Sequence, residues 1–171
     1  MNQKLIFLIV FSILLFAGLF LLHSTRGKKE SLQSQEGKEN PGEEISFTIV
    51  KEEPNSPFDK KQNIVITSQK QYNDLWKRLF PIDRSAPEEN FEKYTIIALF
   101  QGEQPSSGYE IKVQRIVQSD QALGVYLQEE IPDKNCQETQ IKTAPYQIVR
   151  IQKPLTETMR FYEKTEIKEC T

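Results

Sequence analysis

Short runs of alternating apolar and polar residues occupy most of the chain beyond residue 44, and this pattern predicts β-strands. The predicted strands are Ile45–Val50, Asn63–Thr67, Tyr94–Phe100, Tyr109–Val113, Leu123–Leu127, Pro145–Ile151 and Met159–Tyr162. Tyr94–Phe100 is apolar on both faces, so we expect it to be a central strand. A change of phase at Arg115–Ile116 is typical of a β-bulge.

One segment has helical spacing instead. Ser68 is a predicted N-cap with Gln71 as its capping-box partner, and Pro81 ends the helix. Apolar residues follow the cap at helical intervals and are expected to pack on a sheet: Tyr72, Leu75, Trp76, Leu79 and Phe80. About seven strands and one packed amphipathic helix predict an α+β domain. Its mostly antiparallel β-sheet would form a sandwich or a partly closed barrel.

The N-terminus carries a continuous apolar run, residues 5–22, which is just long enough to cross a bilayer. A cleavable signal peptide is one interpretation. The sequence Leu21–Ser24 is a poor cleavage site, however, which favours an uncleaved signal anchor or transmembrane helix over residues 1–23. We expect a single-pass protein of the cell membrane with its domain on the extracytoplasmic side, although the basic residues after the run favour the opposite orientation.

The next segment, residues 24–44, is rich in Lys, Glu, Ser, Gln and Gly and poor in residues that build a core. Such a composition cannot bury enough apolar surface to offset the entropy of ordering. It predicts a flexible polar linker. Residues 45–171 are then the right size for one folded domain.

The domain has few residues of the kinds that carry catalysis. The single histidine of the chain is His23, so residues 24–171 contain no histidine base and no mixed His and Cys cluster for zinc. The adjacent carboxylates Glu129 and Glu130 are predicted to point to opposite faces of a strand. With no phosphate loop, no cofactor motif and no basic stripe beside a net charge of −2, we expect neither an enzyme nor a nucleic-acid-binding protein.

Two cysteines lie in polar segments. A disulfide between Cys136 and Cys170 would tie the C-terminal tail to a loop and would suit an oxidising compartment. Two unpaired thiols are the alternative, because the sequence does not give the distance between them.

Glycine is scarce after the linker, where only Gly102, Gly108 and Gly124 occur. Two of them bracket the polar loop Gly102–Tyr109, which opens directly into a predicted strand. Glycine marks backbone torsions closed to other residues, or a close approach of another segment. This loop is therefore the leading candidate for a working surface.

Two signatures in the second half, Pro105–Tyr109 and Thr143–Ile151, are the strongest part of a family resemblance. Further matching positions are Thr95–Phe100, Gly102, Ile111, Val113, Ile116, Val125, Leu127 and Pro132. With these residues the chain resembles the C-terminal domain family of the protease complex subunit PrcB. The helix around Trp76 fits the opening segment of that family, which extends the resemblance to about residues 62–153.

The resemblance implies a non-catalytic protein-binding module outside the bacterial cytoplasm, possessing no cofactor. The family takes its name from a lipoprotein that associates with a surface subtilisin-like protease and supports its maturation, so a secreted or surface protease is the implied partner. This chain differs in its anchor, an apolar run without a lipid-bearing cysteine. The implied partner-binding residues are Gly102, Pro105, Ser106, Ser107, Gly108, Tyr109, Pro145 and Tyr146.

A second resemblance involves the same loop. Gln104–Tyr109 is similar to the wedge that chagasin-type cysteine protease inhibitors insert into a protease cleft, although Ile111 stands where those proteins have an aromatic residue. A third interpretation is purely structural. In that case Pro105 and Gly108 shape a strand connection, and Tyr109 packs into the core. The same alternative applies to Tyr146, for which a core or edge position is favoured over binding.

Overall fold

The computed structural model describes residues 42–82, 85–119 and 122–170. The predicted anchor, residues 1–23, and nearly all of the predicted linker lie outside these ranges. Within them, no helix is long and apolar enough to cross a membrane.

The described residues form eight strands and one helix. In chain order they are β1 (Glu43–Glu44), β2 (Phe47–Glu53), β3 (Gln62–Ile66), α1 (Gln69–Leu79), β4 (Thr95–Phe100), β5 (Glu110–Gln118), β6 (Ala122–Pro132), β7 (Tyr146–Ile151) and β8 (Thr158–Lys168). Sheet A has the strand order β1-β5-β6-β8, and sheet B has the order β2-β7-β4-β3.

The predicted mostly β-sheet domain with one helix is confirmed, and its details differ from the prediction. The strands number eight rather than about seven, and they make two separate four-stranded sheets with no closed barrel among the described residues. All pairs are antiparallel except β6 and β8, which run parallel. Glu43 and Glu44 pair with β5, so the folded domain includes two residues that composition had assigned to the linker.

Sheet B is covered on both faces, which explains why every residue of β4 is buried. Alternate residues of β4 enter different cores. Ile97 and Leu99 pack between the two sheets, while Ile96 and Phe100 pack under the helix. The prediction of a central strand is confirmed, because β4 lies between β7 and β3.

The helix begins where its sequence signals predict. Ser68 is the N-cap, and its Oγ accepts a hydrogen bond from the N–H of Gln71 at 3.4 Å. The reciprocal contact of a capping box, from the Ser68 N–H to the Gln71 side chain, is replaced by a neighbouring one. Gln71 Oε1 accepts a hydrogen bond from the N–H of Thr67 at 2.9 Å. Tyr72 and Leu75 are buried against sheet B, so the apolar stripe is core rather than a free surface.

A bulge in β5 lets a polar side chain connect the two sheets. The register between β5 and β6 shifts between Val113 and Arg115, one residue before the predicted phase change. The N–H of Val113 donates to Oε1 of the buried Gln147 of β7, at 2.8 Å. Gln147 thereby fixes one sheet against the other at the level where the bulge occurs.

The C-terminal strand is much longer than the predicted Met159–Tyr162, and it is anchored at its far end. Met159 and Phe161 pack against the core between the sheets, and the second half of β8 is exposed and charged. Beyond the strand, Cys170 forms a disulfide with Cys136, and their Cα atoms are 5.2 Å apart. The bridge ties the chain end to the loop that follows β6.

Candidate functional site

The loop after β4 and the segment before β7 lie side by side and extend the β4–β7 pair beyond sheet B. We call residues 101–109 the glycine loop and residues 138–145 the return segment. Gln101 N–H donates to the Pro145 carbonyl at 3.0 Å, directly beyond the last ladder pair of Phe100 and Tyr146. The two family signatures, separated by more than thirty residues of sequence, are therefore neighbours in space.

Backbone hydrogen bonds join the two segments along their length. Gln104 and Thr143 form an isolated antiparallel bridge, with N–H to carbonyl distances of 2.8 and 3.1 Å. Further along, the Ser107 N–H donates to the Thr139 carbonyl at 3.0 Å, and the Thr139 N–H donates to Ser107 Oγ at 3.0 Å. The Thr143 hydroxyl donates to the Ser106 carbonyl at 2.8 Å. The glycine loop is thus a fixed shape.

Gly102 has the first of two positive φ values found among the described residues, +82°. A Cβ atom at this position would lie 2.7 Å from the backbone nitrogen of Lys61 and 3.0 Å from the Asp59 carbonyl oxygen. Next to it, the Glu103 N–H donates to that same Asp59 carbonyl at 3.0 Å. Glycine is required here by torsion and by the close passage of residues 59–61.

Gly108 has the second positive φ value, +87°. A Cβ there would lie 2.6 Å from the carboxyl carbon of Glu138, a side chain that can move. The same carboxylate accepts a hydrogen bond from the Ser107 hydroxyl. Gly108 therefore leaves room for the carboxylate that holds the tip of the glycine loop to the return segment.

Burial divides the predicted partner-binding residues into two groups. Gly102, Ser106, Pro145 and Tyr146 are buried. These four residues lie beneath the surface of the site and support it, and a direct contact with a partner stays a prediction for them. The others reach the surface: Pro105 is exposed, and Ser107, Gly108 and Tyr109 are half-buried. A partner role for these remaining residues stays a prediction.

Tyr146, which belongs to the signature Thr143–Ile151, is a core residue. Its ring is 1% exposed and stacks on Phe100, with the ring centroids 5.7 Å apart. Burial, with the nearby Glu53 carboxylate, raises the pKa of Tyr146 to about 12. Its hydroxyl has no hydrogen-bond partner among the described residues.

The sequence did not single out the most exposed apolar residue at this surface. Ile141, in the return segment, is 65% exposed. Its neighbour Lys142 makes an ion pair with Glu103 at 2.6 Å. In the sequence, this exposed position could have been recognised as a lone isoleucine within the polar stretch 137–143. Beside this ion pair lies an open depression of about 230 Å³, lined by residues 55–59, Glu103 and residues 142–144.

The paired carboxylates considered in the sequence are engaged by basic side chains. Glu129 binds Lys61 at 2.7 Å, whereas Glu130 lies 3.4 Å from both Lys112 and Lys168. Within the described ranges, no group of three or more His, Cys, Asp or Glu residues could hold a metal ion.

Residues 95–152 match the family model described as PrcB C-terminal, and this match supports a PrcB C-terminal domain in that part of the chain. The match runs from β4 to the end of β7 and includes the glycine loop and the return segment. The resemblance stated from the sequence is confirmed, although the match starts at Thr95 and leaves out the helix around Trp76. No curated protein and no solved structure matches the chain.

Proposed function

We propose that this chain is a membrane-tethered, extracytoplasmic and non-catalytic protein-binding module that serves a surface protease as an accessory or maturation subunit. The observation that carries the proposal is the junction of the glycine loop with the return segment, inside the stretch that matches the PrcB C-terminal family. The geometry alone provides a rigid surface.

The surface has the properties of a small docking site. Its backbone is fixed by the Gln104–Thr143 bridge, so little conformational entropy is lost when a partner binds. Pro105 and Ile141 provide exposed apolar contacts, and the Lys142–Glu103 pair provides a polar rim. The depression beside this pair could accept a side chain of the partner.

The location outside the cytoplasm is supported by two features. The apolar run at residues 5–22 has the length of a membrane anchor. The Cys136–Cys170 disulfide suits an oxidising compartment, because cytoplasmic thiols are normally kept reduced. The non-catalytic character is supported by the engagement of Glu129 and Glu130 with lysines, which leaves neither acid free to act on a substrate.

The proposal is tested by loop-dependent capture of a protease. The full chain, carrying an affinity tag, is purified with mild detergent from its own cell envelope. We expect a protease to copurify, and Ile141→Lys to reduce its recovery about tenfold, because a buried charge at an interface is costly. Ile49→Lys is the matched control. Ile49 is 53% exposed on β2, outside the glycine loop and the return segment, and we expect this variant to retain the partner.

A second readout separates an accessory role from incidental capture. If the chain supports maturation, envelopes of cells lacking it will accumulate unprocessed protease. The wild-type chain and Ile49→Lys will restore processing, whereas Ile141→Lys will not. Equal recovery and equal processing with both lysine variants would count against a role for this surface.

Inhibition by a chagasin-like wedge stays the alternative. A wedge must project its tip into a cleft, whereas here Ser106 is only 7% exposed and Ser107 is held by Glu138 and Thr139. This arrangement favours a fixed surface over a wedge. Slowed hydrolysis by a papain-like protease in the presence of the full chain would reverse that preference.

A further inference from the structure

Strand β8 forms one edge of sheet A, and no other strand of the described chain pairs with its outer side. It is 11 residues long. An edge of this length presents a row of free N–H and C=O groups that can pair with another strand. We propose that β8 pairs antiparallel with the β8 strand of a second copy of this chain, with Glu163 at the centre, so that two copies of sheet A become one continuous sheet.

The direction of the backbone groups limits the possible registers. The Lys168 carbonyl faces β6, because it accepts a hydrogen bond from the N–H of Asp133, which directly follows that strand, at 3.1 Å. Backbone groups alternate between the two edges of a strand. The odd-numbered residues from Met159 to Ile167 therefore direct their N–H and C=O groups outward.

Pairing centred on Glu163 uses all of these outward groups. It places each odd-numbered residue opposite another odd-numbered residue of the second copy, so that every such pair exchanges two hydrogen bonds. Met159 then lies opposite Ile167 of the copy. Ile167 is 65% exposed in the single chain, and this contact would cover it with an apolar neighbour.

The even-numbered side chains are complementary in the same register. Arg160 lies opposite Glu166 of the copy, and Tyr162 lies opposite Lys164 of the copy. These are non-hydrogen-bonded pairs, in which side chains approach most closely. Arg160, Tyr162 and Lys164 are exposed, and Glu166 is half-buried with a carboxylate that pairs with Lys164 of its own strand at 2.6 Å. In the dimer, Arg160 of the second copy would become a further partner of this carboxylate.

Neighbouring registers lack this complementarity. Moving the centre by one residue to Tyr162 places Arg160 opposite Lys164. Moving it the other way, to Lys164, places Arg160 opposite Lys168 and Lys164 opposite itself. Like charges directly opposite each other are destabilising. Among these three registers, the charge pattern of β8 therefore favours the centre at Glu163.

The chosen register brings the two Glu163 carboxylates together, and the structure already reduces their repulsion. Lys61 Nζ lies 2.6 Å from Glu163 Oε2 and 2.7 Å from Glu129 Oε1. Each copy therefore supplies a cation next to the central carboxylate.

Charge exchange between two chains tests the register. The full chain is produced with two different tags, and association is followed by copurification and sedimentation in a non-ionic detergent that shields the apolar N-terminal run. A symmetric dimer contains two pairs between position 160 of one copy and position 166 of the other. Arg160→Glu makes both of these pairs Glu–Glu, and Glu166→Arg makes both of them Arg–Arg. We expect each variant alone to associate about tenfold more weakly than the wild-type chain.

Mixing the two variants provides the decisive result. One chain then carries Glu at 160 and 166, the other carries Arg at both, and both pairs between positions 160 and 166 are again of opposite charge. We expect the mixture to recover association to within about threefold of the wild-type value. Association that is unaffected by either variant, or mixtures no better than single variants, would overturn the proposal. So would a wild-type chain that remains monomeric at high concentration.

A backbone variant guards against a folding artefact. The Thr165 N–H points outward, so Thr165→Pro removes a donor from the free edge and leaves the β6–β8 ladder intact. We expect this variant to lose association while its circular dichroism and thermal midpoint remain close to those of the wild-type chain. Retained association would show that the contact lies elsewhere.

Discussion

Replacing Cys136 and Cys170 together by alanine will lower the free energy of unfolding by about 4 kcal/mol, because the disulfide closes a loop spanning 34 residues of sequence. In the wild-type chain this closure restricts the unfolded ensemble. It also holds the end of β8 next to the loop after β6, where the Asp133 N–H meets the Lys168 carbonyl. The loss should appear as a lower urea midpoint together with a somewhat larger slope, because the unfolded chain without the bridge is less compact.

Reduction provides the control for this result. A thiol reductant should lower the stability of the wild-type chain by about the same amount and leave the double alanine variant unchanged. A variant within about 1 kcal/mol of the oxidised wild type would show that the bridge contributes little, and that β8 is held by its packing alone.

Gly102→Ala is expected to cost about 3 kcal/mol, through two effects that add. A side chain at φ +82° is strained by about 1–2 kcal/mol. The new Cβ would also lie 2.7 Å from the Lys61 nitrogen, and backbone of a neighbouring segment can move only if that segment is distorted. Denaturant unfolding of the full chain measures the total loss.

Gly108→Ala is the matched comparison, since its φ of +87° is nearly the same. Its Cβ would meet the mobile end of Glu138, so we expect a loss of only about 1–2 kcal/mol. Adding Glu138→Ala should remove the steric part and leave the torsional part. Equal losses for the two glycine variants would mean that the backbone of residues 59–61 yields as easily as a carboxylate.

The predictable parts of the fold are those that burial determines. β4 was identified because residues on both of its faces are apolar, and the structure covers both faces. The helix was identified from its cap and stripe, and Tyr72 and Leu75 are buried as expected. In both elements, the local spacing of apolar residues is enough to show which faces are buried.

The parts that were missed depend on contacts between distant residues. The second half of β8 has no apolar alternation, because its side chains are exposed and its partner β6 supplies the order. For Tyr146 the sequence left both a partner-binding and a core or edge position open, because a tyrosine at the start of a strand gives no indication of which face it occupies. The disulfide remained undecided for the same reason, since spacing along the chain does not give a distance in space.

The candidate site was only half visible in the sequence. The glycines at 102 and 108 correctly indicated unusual torsions. The sequence of neither segment shows that the glycine loop lies along the return segment, because the Gln104–Thr143 bridge joins residues far apart in the chain. Ile141 becomes part of this surface only through that bridge.

The parallel pairing of β6 with β8 has a consequence for the order in which the domain assembles. The β5–β6 hairpin is a local structure, closed by the Ser119 N–H donating to the Ala122 carbonyl. Strand β8 pairs with β6 across an intervening stretch of chain that contains β7, which belongs to the other sheet. Contacts between residues far apart in the sequence form slowly, because the chain loses the entropy of closing a long loop before the contact stabilises it. We expect β8 to dock last.

Pulse-labelled hydrogen exchange during refolding would order these events, with amides of β5 protected before those of β8. Simultaneous protection would contradict a late docking step. On the ribosome, the same topology leaves the edge of β6 open until β8 has been synthesised. A chain released before Thr158 would keep that edge exposed, and it would be a natural client for chaperones that recognise unpaired strands.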